Sequence, residues 1–415
     1  MQAKKVILHL GMNKCGSTSI QNTLFNNAAV LEKNGFRYLT EWGLSHLTVF
    51  NHLFSASRAR AIRKFHGRYI SKRKHNKSKK MFLNALQNVI KNSKSETLIL
   101  SGECFGVFTN KNAINNFKEF IINYFESKGI EVSIVLLIRN PLLWLISRLQ
   151  QALFFGYYPR NTDFFEERIK SYKAITNLKK NFCDSLKFLK FEDACLDEDG
   201  LAGYFLKEIG FPKEKLNELN IITANESRCM EVMEFANYIE SVETIFPNDN
   251  LKNMNVNRTM SDLCCLENVK GVRFDLPYDC KMELWNRIQD TVIKLEKVTK
   301  INYLKYKIPV PSLPQETYNE DTIRGFIDAF PRLNPVLQKY FLKFFEMKYA
   351  QTAQVKFKQL YFKNSIPWKI YNSKNLFFSI LFFRIKNVLY NTKDLMPRTI
   401  INKLKQIRSK YERNA

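Results

Sequence analysis

The sequence predicts an α/β fold, a doubly wound parallel sheet with a P-loop-like phosphate-binding loop, helical insertions and a basic helical C-terminal extension. Three observations carry that prediction. A short β-type run, Val6 to Leu10, stops at Gly11 and passes into a helical pattern. Further apolar runs at 97–100, 132–138 and 186–191 alternate with segments of helical periodicity. The third run, Val132-Ser-Ile-Val-Leu-Leu-Ile138, is almost continuously apolar, as a strand buried on both faces of a parallel sheet should be.

Each element follows in order. After Gly11, Ile20, Leu24 and Leu31 recur near the helical period and predict one helix over Thr18 to Leu31. Residues 42–95 contain no Asp or Glu, while eleven Lys and Arg crowd between Arg58 and Lys80, which predicts a basic helical insertion. The Thr97–Leu100 strand ends at Ser101-Gly-Glu103, and the strand at 132–138 is flanked by helical patterns at 113–127 and 142–155. A fourth strand, Leu186 to Phe191, precedes a helix over Leu201 to Ile209 that Gly210 can cap. The segment 215–350 then reads as mainly helical (226–246, 281–299 and 320–350, with a break at Pro331 or Pro335). Residues 1–350 are thereby expected to form one α/β domain. Residues 351–415 differ: Asp394 and Glu412 are the only acids among many cations and aromatics. That mixture suits a segment lying on an anionic membrane surface, and equally a helical extension docked by its aromatics.

Composition bounds the function. With 65 Lys and Arg against 39 Asp and Glu, the 415-residue chain carries a formal charge of +26 and calls for an anionic partner. Hydrophobic residues at 45% exclude general disorder, and 14 Gly with 12 Pro exclude collagen-like or linker-rich sequence. The eight cysteines include no C-x-x-C and no Cys/His zinc spacing, so no metal site is expected, and buried or incidental thiols fit a reducing cytoplasm. The N-terminal apolar run is too short for a signal peptide, and the longest apolar stretch, Leu376 to Phe383, is too short to span a bilayer. A cytoplasmic protein is expected, at most peripheral on the inner face of the cell membrane.

The chemistry concentrates at Gly11-Met-Asn-Lys14-Cys-Gly16-Ser17-Thr18-Ser19. Between a strand and a helix, glycines let backbone amides turn toward an anion, the helix start adds positive potential, and Lys14 with three hydroxyls supplies further donors. The pattern departs from G-x-x-x-x-G-K-[ST], because Lys14 precedes the second glycine by two residues. Where a nucleoside triphosphatase would place a magnesium-binding Asp, the 132–138 strand instead runs into Arg139. A cation there suits a second phosphate on the ligand.

These residues resemble the sulfotransferases that use 3′-phosphoadenylyl sulfate (PAPS), in particular bacterial and carbohydrate-modifying members. His9-Leu-Gly11 through Gln21 looks like their 5′-phosphosulfate loop, H-x-G-x-x-K-x-G-[ST]-T-[ST]-x-Q, and Arg139-Asn-Pro-Leu-Leu-Trp-Leu-Ile-Ser147 looks like their 3′-phosphate motif. Weaker likenesses are Ser101-Gly-Glu103, the Leu189-Lys-Phe-Glu192 strand end, Asn225-Glu-Ser227 and the 334–340 stretch. Cys15, where Thr or Gly is usual, and the basic insertion depart from the pattern and leave the acceptor pocket open.

The resemblance implies in-line transfer of a sulfuryl group, without metal, to a hydroxyl or amine of a carbohydrate such as a surface or capsular glycan. Gly11, Lys14, Gly16, Ser17, Thr18 and Ser19 would hold the 5′-phosphate end, and Arg139 and Ser147 the 3′-phosphate. Lys14 would also offset charge on the leaving group. Glu103, at a strand end, is the first candidate for general base, and His52 in Asn51-His-Leu-Phe the second. His9 lies inside the first strand and reads as structural; His46, His66 and His75 have no motif support; Gln151 sits one turn after Ser147. The basic insertion reads either as a funnel for an acidic or lipid-linked glycan acceptor or as a solvated face. A P-loop nucleotide or sugar kinase is the rival enzyme, and a basic peripheral membrane or nucleic-acid-binding protein the non-enzymatic rival. No nucleic-acid-binding signature supports the latter.

Overall fold

Five strands, all parallel, form the central sheet: β1 (Lys5–Leu10), β2 (Phe36–Tyr38), β3 (Thr97–Gly102), β4 (Glu131–Ile138) and β5 (Leu186–Lys190), in the order β2-β3-β1-β4-β5. β1 is central, with Leu10 opposite Gly102 of β3 and Lys5 opposite Glu131 of β4. Its residues Val6 to Leu10 are fully buried, which is why the sequence there has no polar alternation beyond His9. The chain passes from β1 to the β2–β3 side and returns to β4 on the other flank. The strand order therefore reverses beside β1, and ligands of doubly wound sheets gather at the carboxyl ends of the strands at such a point. The expected α/β class is what the molecule has. This computed structural model describes residues 3–54, 72–155, 163–224, 227–242, 263–310 and 317–347.

The helices are α1 (Ser17–Asn26), α2 (Ala28–Lys33), α3 (Leu47–Phe54), α4 (Lys72–Asn92), α5 (Lys111–Tyr124), α6 (Pro141–Phe154), α7 (Asp163–Lys170), α8 (Lys173–Asn181), α9 (Phe191–Leu196), α10 (Gly200–Glu208), α11 (Met230–Val242), α12 (Tyr278–Thr299), α13 (Glu320–Ala329) and α14 (Pro335–Met347). Three details differ from the sequence reading, the first being β2, which it did not contain. The expected helix over 18–31 is broken at Asn27, whose amide donates to Thr23 O at 2.7 Å and to Asn220 O at 2.9 Å while its own oxygen accepts from Asn220 N. Phe191 opens α9 rather than closing β5. Within the 42–95 segment, residues 47–54 (α3) and 72–92 (α4) are helical; residues 55–71, with Arg58 to Arg68, lie outside the described residues, as do residues 225–226 and the 351–415 extension.

The chain divides into two compact units. The first, residues 1–147, 162–226 and 277–309, contains the whole sheet. The second, 148–161, 227–276 and 310–415, is built in its described part from α11, α13 and α14 and the last turns of α6. Phe154, Phe235, Phe326, Phe341 and Phe345 fill its core, and the Arg228 guanidinium lies 3.8 Å from the Phe154 ring centre. Among the described residues no helix is long and apolar enough to cross a membrane.

Candidate functional site

The ends of β1, β3 and β4 meet at the loop that follows β1. Its first amide, Gly11 N–H, donates to Gly102 O at 2.9 Å and ties the loop to the end of β3. Two later residues adopt left-handed backbone, Lys14 at φ 65° and Gly16 at φ 77°. For Lys14 that conformation costs about 1–2 kcal/mol unless something holds it. Two donors do. Arg139 at the end of β4 donates from Nη1 to Lys14 O at 3.0 Å, and Trp144 on α6 donates from Nε1 to Asn13 O at 2.7 Å. Because a trans peptide points its N–H opposite to its C=O, pinning these two carbonyls also fixes the directions of the Lys14 and Cys15 amides.

At Gly16 the loop becomes α1, whose first i→i−4 bond is Ile20 N–H to Gly16 O at 3.2 Å. The amides of Ser17, Thr18 and Ser19 precede it and have no intrahelical partner. Side chains normally satisfy such groups. Asn110 caps α5, Asn140 caps α6 and Asn319 caps α13 in this way, whereas α1, like α2, α8, α9, α10 and α12, has no side-chain cap, despite three hydroxyl residues in its first turn. Ser17 Oγ is buried and has no partner among the described residues. The Ser19 hydroxyl is instead engaged with the 224 backbone, accepting from Ala224 N at 2.9 Å and donating to Ala224 O at 3.2 Å. Thr18 is half-exposed. An uncapped helix start with a buried, partnerless hydroxyl is an arrangement suited to an anion. The glycines are required by contact: a Cβ on Gly11 would strike Ser17 and come within 3.2 Å of Glu103 Cγ, and one on Gly16 would strike Leu201 of α10.

Glu103 stands beside this loop. Its Oε2 accepts from Asn13 Nδ2 at 3.0 Å, just past the end of β3. Behind it, Gln21 of α1 and His9 of β1 meet at the Ser101 hydroxyl. Ser101 Oγ accepts from Gln21 Nε2 at 3.1 Å and shares a 2.7 Å hydrogen bond with His9 Nδ1. The Ser101 amide donates to His46 Nδ1 at 3.0 Å, and His46 Nε2–H donates to Leu39 O at 2.9 Å, which fixes that tautomer. Burial lowers both imidazoles to about 3, so His9 and His46 are neutral struts joining β1, α1 and β3. His52, on α3, is placed against His75 of α4, with their Nδ1 atoms 2.9 Å apart and rings stacked at 4.8 Å.

The β4 end completes the site. Arg139 is half-buried with its guanidinium 5.0 Å from the Phe191 ring centre, and its Nε has no partner among the described residues. The next amide, Asn140 N–H, donates to Glu192 Oε1 at 2.8 Å. Ser147 is half-buried on α6, one turn beyond Trp144. Gln151 accepts from Arg148 Nη1 at 2.6 Å. Cys15 is fully buried near Arg139, Glu192 and Glu103; burial pushes its thiol well up, which keeps it protonated and poorly nucleophilic. The structure thus brings Gly11, Lys14, Gly16, Ser17, Thr18, Ser19, Glu103 and Arg139 into one cluster at the carboxyl edge of the sheet. Asn13, Trp144 and Glu192 belong to it although the sequence assigned them no role.

No protein-family model matches the chain, and no curated protein matches it. Among solved structures it is similar to a sulfotransferase from Alicyclobacillus acidocaldarius, with a TM-score of 0.37 and 10% identity over 72% of this chain and 97% of that one. Among the described residues no group of three or more His, Cys, Asp or Glu is placed to hold a metal ion.

Proposed function

We propose that this protein is a sulfotransferase that moves a sulfuryl group from PAPS to a hydroxyl or amine of a carbohydrate, with a surface or capsular glycan as the acceptor class. One observation supports it above the rest: a strand–loop–helix phosphate cradle whose helix start is uncapped and holds a partnerless Ser17 Oγ, closed by an arginine rather than a carboxylate from the neighbouring strand. The residues fit a ligand with phosphate at two ends. The amides of Gly16 to Ser19, the Ser17 and Thr18 hydroxyls and Lys14 would hold the 5′ end, and Arg139 with Ser147 the 3′-phosphate.

When bound, PAPS supplies a sulfuryl group attached to a good phosphate leaving group. The protein's share is positioning and charge. Lys14 would offset negative charge on the leaving phosphate. Glu103, fixed by Asn13 at the loop, accepts the proton of the attacking hydroxyl, a role for which His52 is less well placed because it is engaged with His75.

Isothermal titration with adenosine 3′,5′-bisphosphate tests the reading. Micromolar-range binding that R139A weakens is expected, with turnover that persists in EDTA. Absence of binding, or binding indifferent to R139A, refutes it, and activity abolished by EDTA would favour a kinase.

A further inference from the structure

Four buried polar atoms at the ends of β4 and β5 and in their surroundings have no partner among the described residues: Arg139 Nε, Asn140 Nδ2, Tyr172 Oη and Glu192 Oε2. Native interiors seldom leave such groups unpaired, so a concentration of them marks a place where something else is accommodated. Glu192 supplies the one carboxylate of the four. Its other oxygen, Oε1, takes the amide of Asn140, and Asn140 Oδ1 caps α6 through Leu142 N at 2.9 Å. Glu192 is therefore bonded to the peptide that follows Arg139. Its neighbour in sequence, Phe191, carries the Arg139 guanidinium on its face. Arg139 and Glu192 interact electrostatically, yet among the described residues no ion pair within 4.0 Å joins them.

The groups facing Glu192 come from several elements. Arg139 and Asn140 approach from the β4 end, Cys15 from the phosphate loop, Tyr172 from the turn before α8, Tyr303 from the segment after α12, and Lys190 and Asp193 from its own neighbourhood. Lys190 is engaged with Asp193 at 2.7 Å. Burial raises the Glu192 carboxyl above the usual carboxylate range, against the pull of the Asn140 amide, Arg139 and Lys190. An anion docked on Arg139 would be a second negative charge sharing that one cation. Two anions beside one half-buried arginine are relieved when one of them binds a proton.

We propose that Glu192 is the positioning residue of Arg139 and that it couples anion binding at the loop to proton uptake from solvent. As a carboxylate it fixes the strand end through Asn140. With the anion in place, the proton settles on its unpaired Oε2 and the carboxylic acid becomes a donor rather than a competing charge. The proposal rests on the reading that Arg139 faces an anion.

The test is titration calorimetry of the whole chain with adenosine 3′,5′-bisphosphate at pH 5 to 8, in buffers of different ionisation enthalpy, for the wild type, E192Q and E192D. Ligand ionisation is common to all three and cancels in their ratios. Gln keeps the Asn140 bond without the charge, so E192Q is expected to bind roughly tenfold more tightly than wild type at pH 8, one pKa unit of coupling, and to converge with it toward pH 5. Proton uptake beyond that of the ligand should vanish in E192Q and persist in E192D. A constant E192Q to wild-type ratio across this range, which a purely structural role would give, overturns the proposal. So does unchanged proton uptake. Should E192Q fail to fold, loss of the excess uptake in E192D decides against it. The same series with inorganic phosphate separates the two readings: a pH-dependent ratio for phosphate without nucleotide binding would sustain the role of Glu192 and sink the sulfotransferase assignment, and no binding of either anion would overturn both.

Discussion

Gly16 is the hinge between loop and helix, and Gly16→Ala measures how tightly the loop is seated. The residue adopts φ 77°, and an added Cβ would collide with the tip of Leu201, coming within 2.7 Å of Cδ2 and 3.1 Å of Cγ. Left-handed backbone costs an alanine about 1–2 kcal/mol. Displacing Leu201 adds about 1–3 kcal/mol, the usual range for overpacking. G16A should therefore lose about 2–5 kcal/mol. L201A alone should cost less than the roughly 2–5 kcal/mol of a fully buried leucine, because Leu201 is half-buried. In the double variant the collision is gone, and only the backbone cost of the alanine at the hinge adds to the cost of L201A. The cycle should close with a favourable coupling of about 1–3 kcal/mol, read as the urea midpoint of tryptophan fluorescence at constant m. Additivity to within about 0.5 kcal/mol would refute the seating of the loop against α10.

Further outcomes follow from the same geometry. E103Q should lower turnover by about 100-fold or more and leave affinity for adenosine 3′,5′-bisphosphate nearly unchanged; unaltered turnover would move the base elsewhere, with His52 next in line. W144F keeps the ring but strips the donor from Asn13 O, which should cost about 1–3 kcal/mol, or roughly 5- to 150-fold in affinity for the same nucleotide. Wild-type affinity in W144F would show that this carbonyl needs no clamp. Stability should fall on acidification below pH 6.5. His9 and His46 are held neutral with values lowered to about 3, so the unfolded chain takes up protons that the folded one refuses, a loss of about 2 kcal/mol per histidine at pH 5. H46Q, followed by urea titrations at pH 7 and 5, should remove about half of that combined loss, and an unchanged pH slope would count against it. Truncation after residue 350 should abolish sedimentation with anionic liposomes if the 351–415 extension is a membrane-surface segment, and unchanged partitioning would refute that role.

What was legible in the sequence was local chemistry. Glycine at 11 and 16, the hydroxyl run and the abrupt end of an apolar strand describe a phosphate loop without any knowledge of its neighbours, since each residue type is demanded by the backbone it occupies. The parallel strands were legible because burial on both faces removes alternation. β2 escaped because three residues, Phe36 to Tyr38, are too few to show a period, and it is a strand only by pairing with β3. The break at Asn27 escaped for a related reason: its partner is Asn220, far along the chain. The same holds at the site. Trp144, Asn13 and Ser101 take their meaning from donors and acceptors 80 to 131 positions away, which no window of sequence contains.

Arg139 shows why this matters for testing the function. The sequence reading gives it one task, a phosphate fork; the structure gives it another, holding the Lys14 carbonyl with Nη1 while Nε is left without a partner among the described residues. R139A removes both together, so lost binding in that variant reports a collapsed loop as readily as a missing ligand contact. R139K separates them. A lysine supplies a compact point charge and cannot hold a carbonyl and fork an anion at once. If the loop clamp dominates, R139K should resemble W144F, with weaker binding of every phosphate ligand alike. If the fork dominates, R139K should keep affinity for adenosine 5′-phosphate and lose it only for the 3′,5′-bisphosphate. A selective loss of that kind would assign the second phosphate to Arg139, whereas an equal loss for both ligands would leave the residue as a brace of the loop and return the 3′ end of the nucleotide to Ser147.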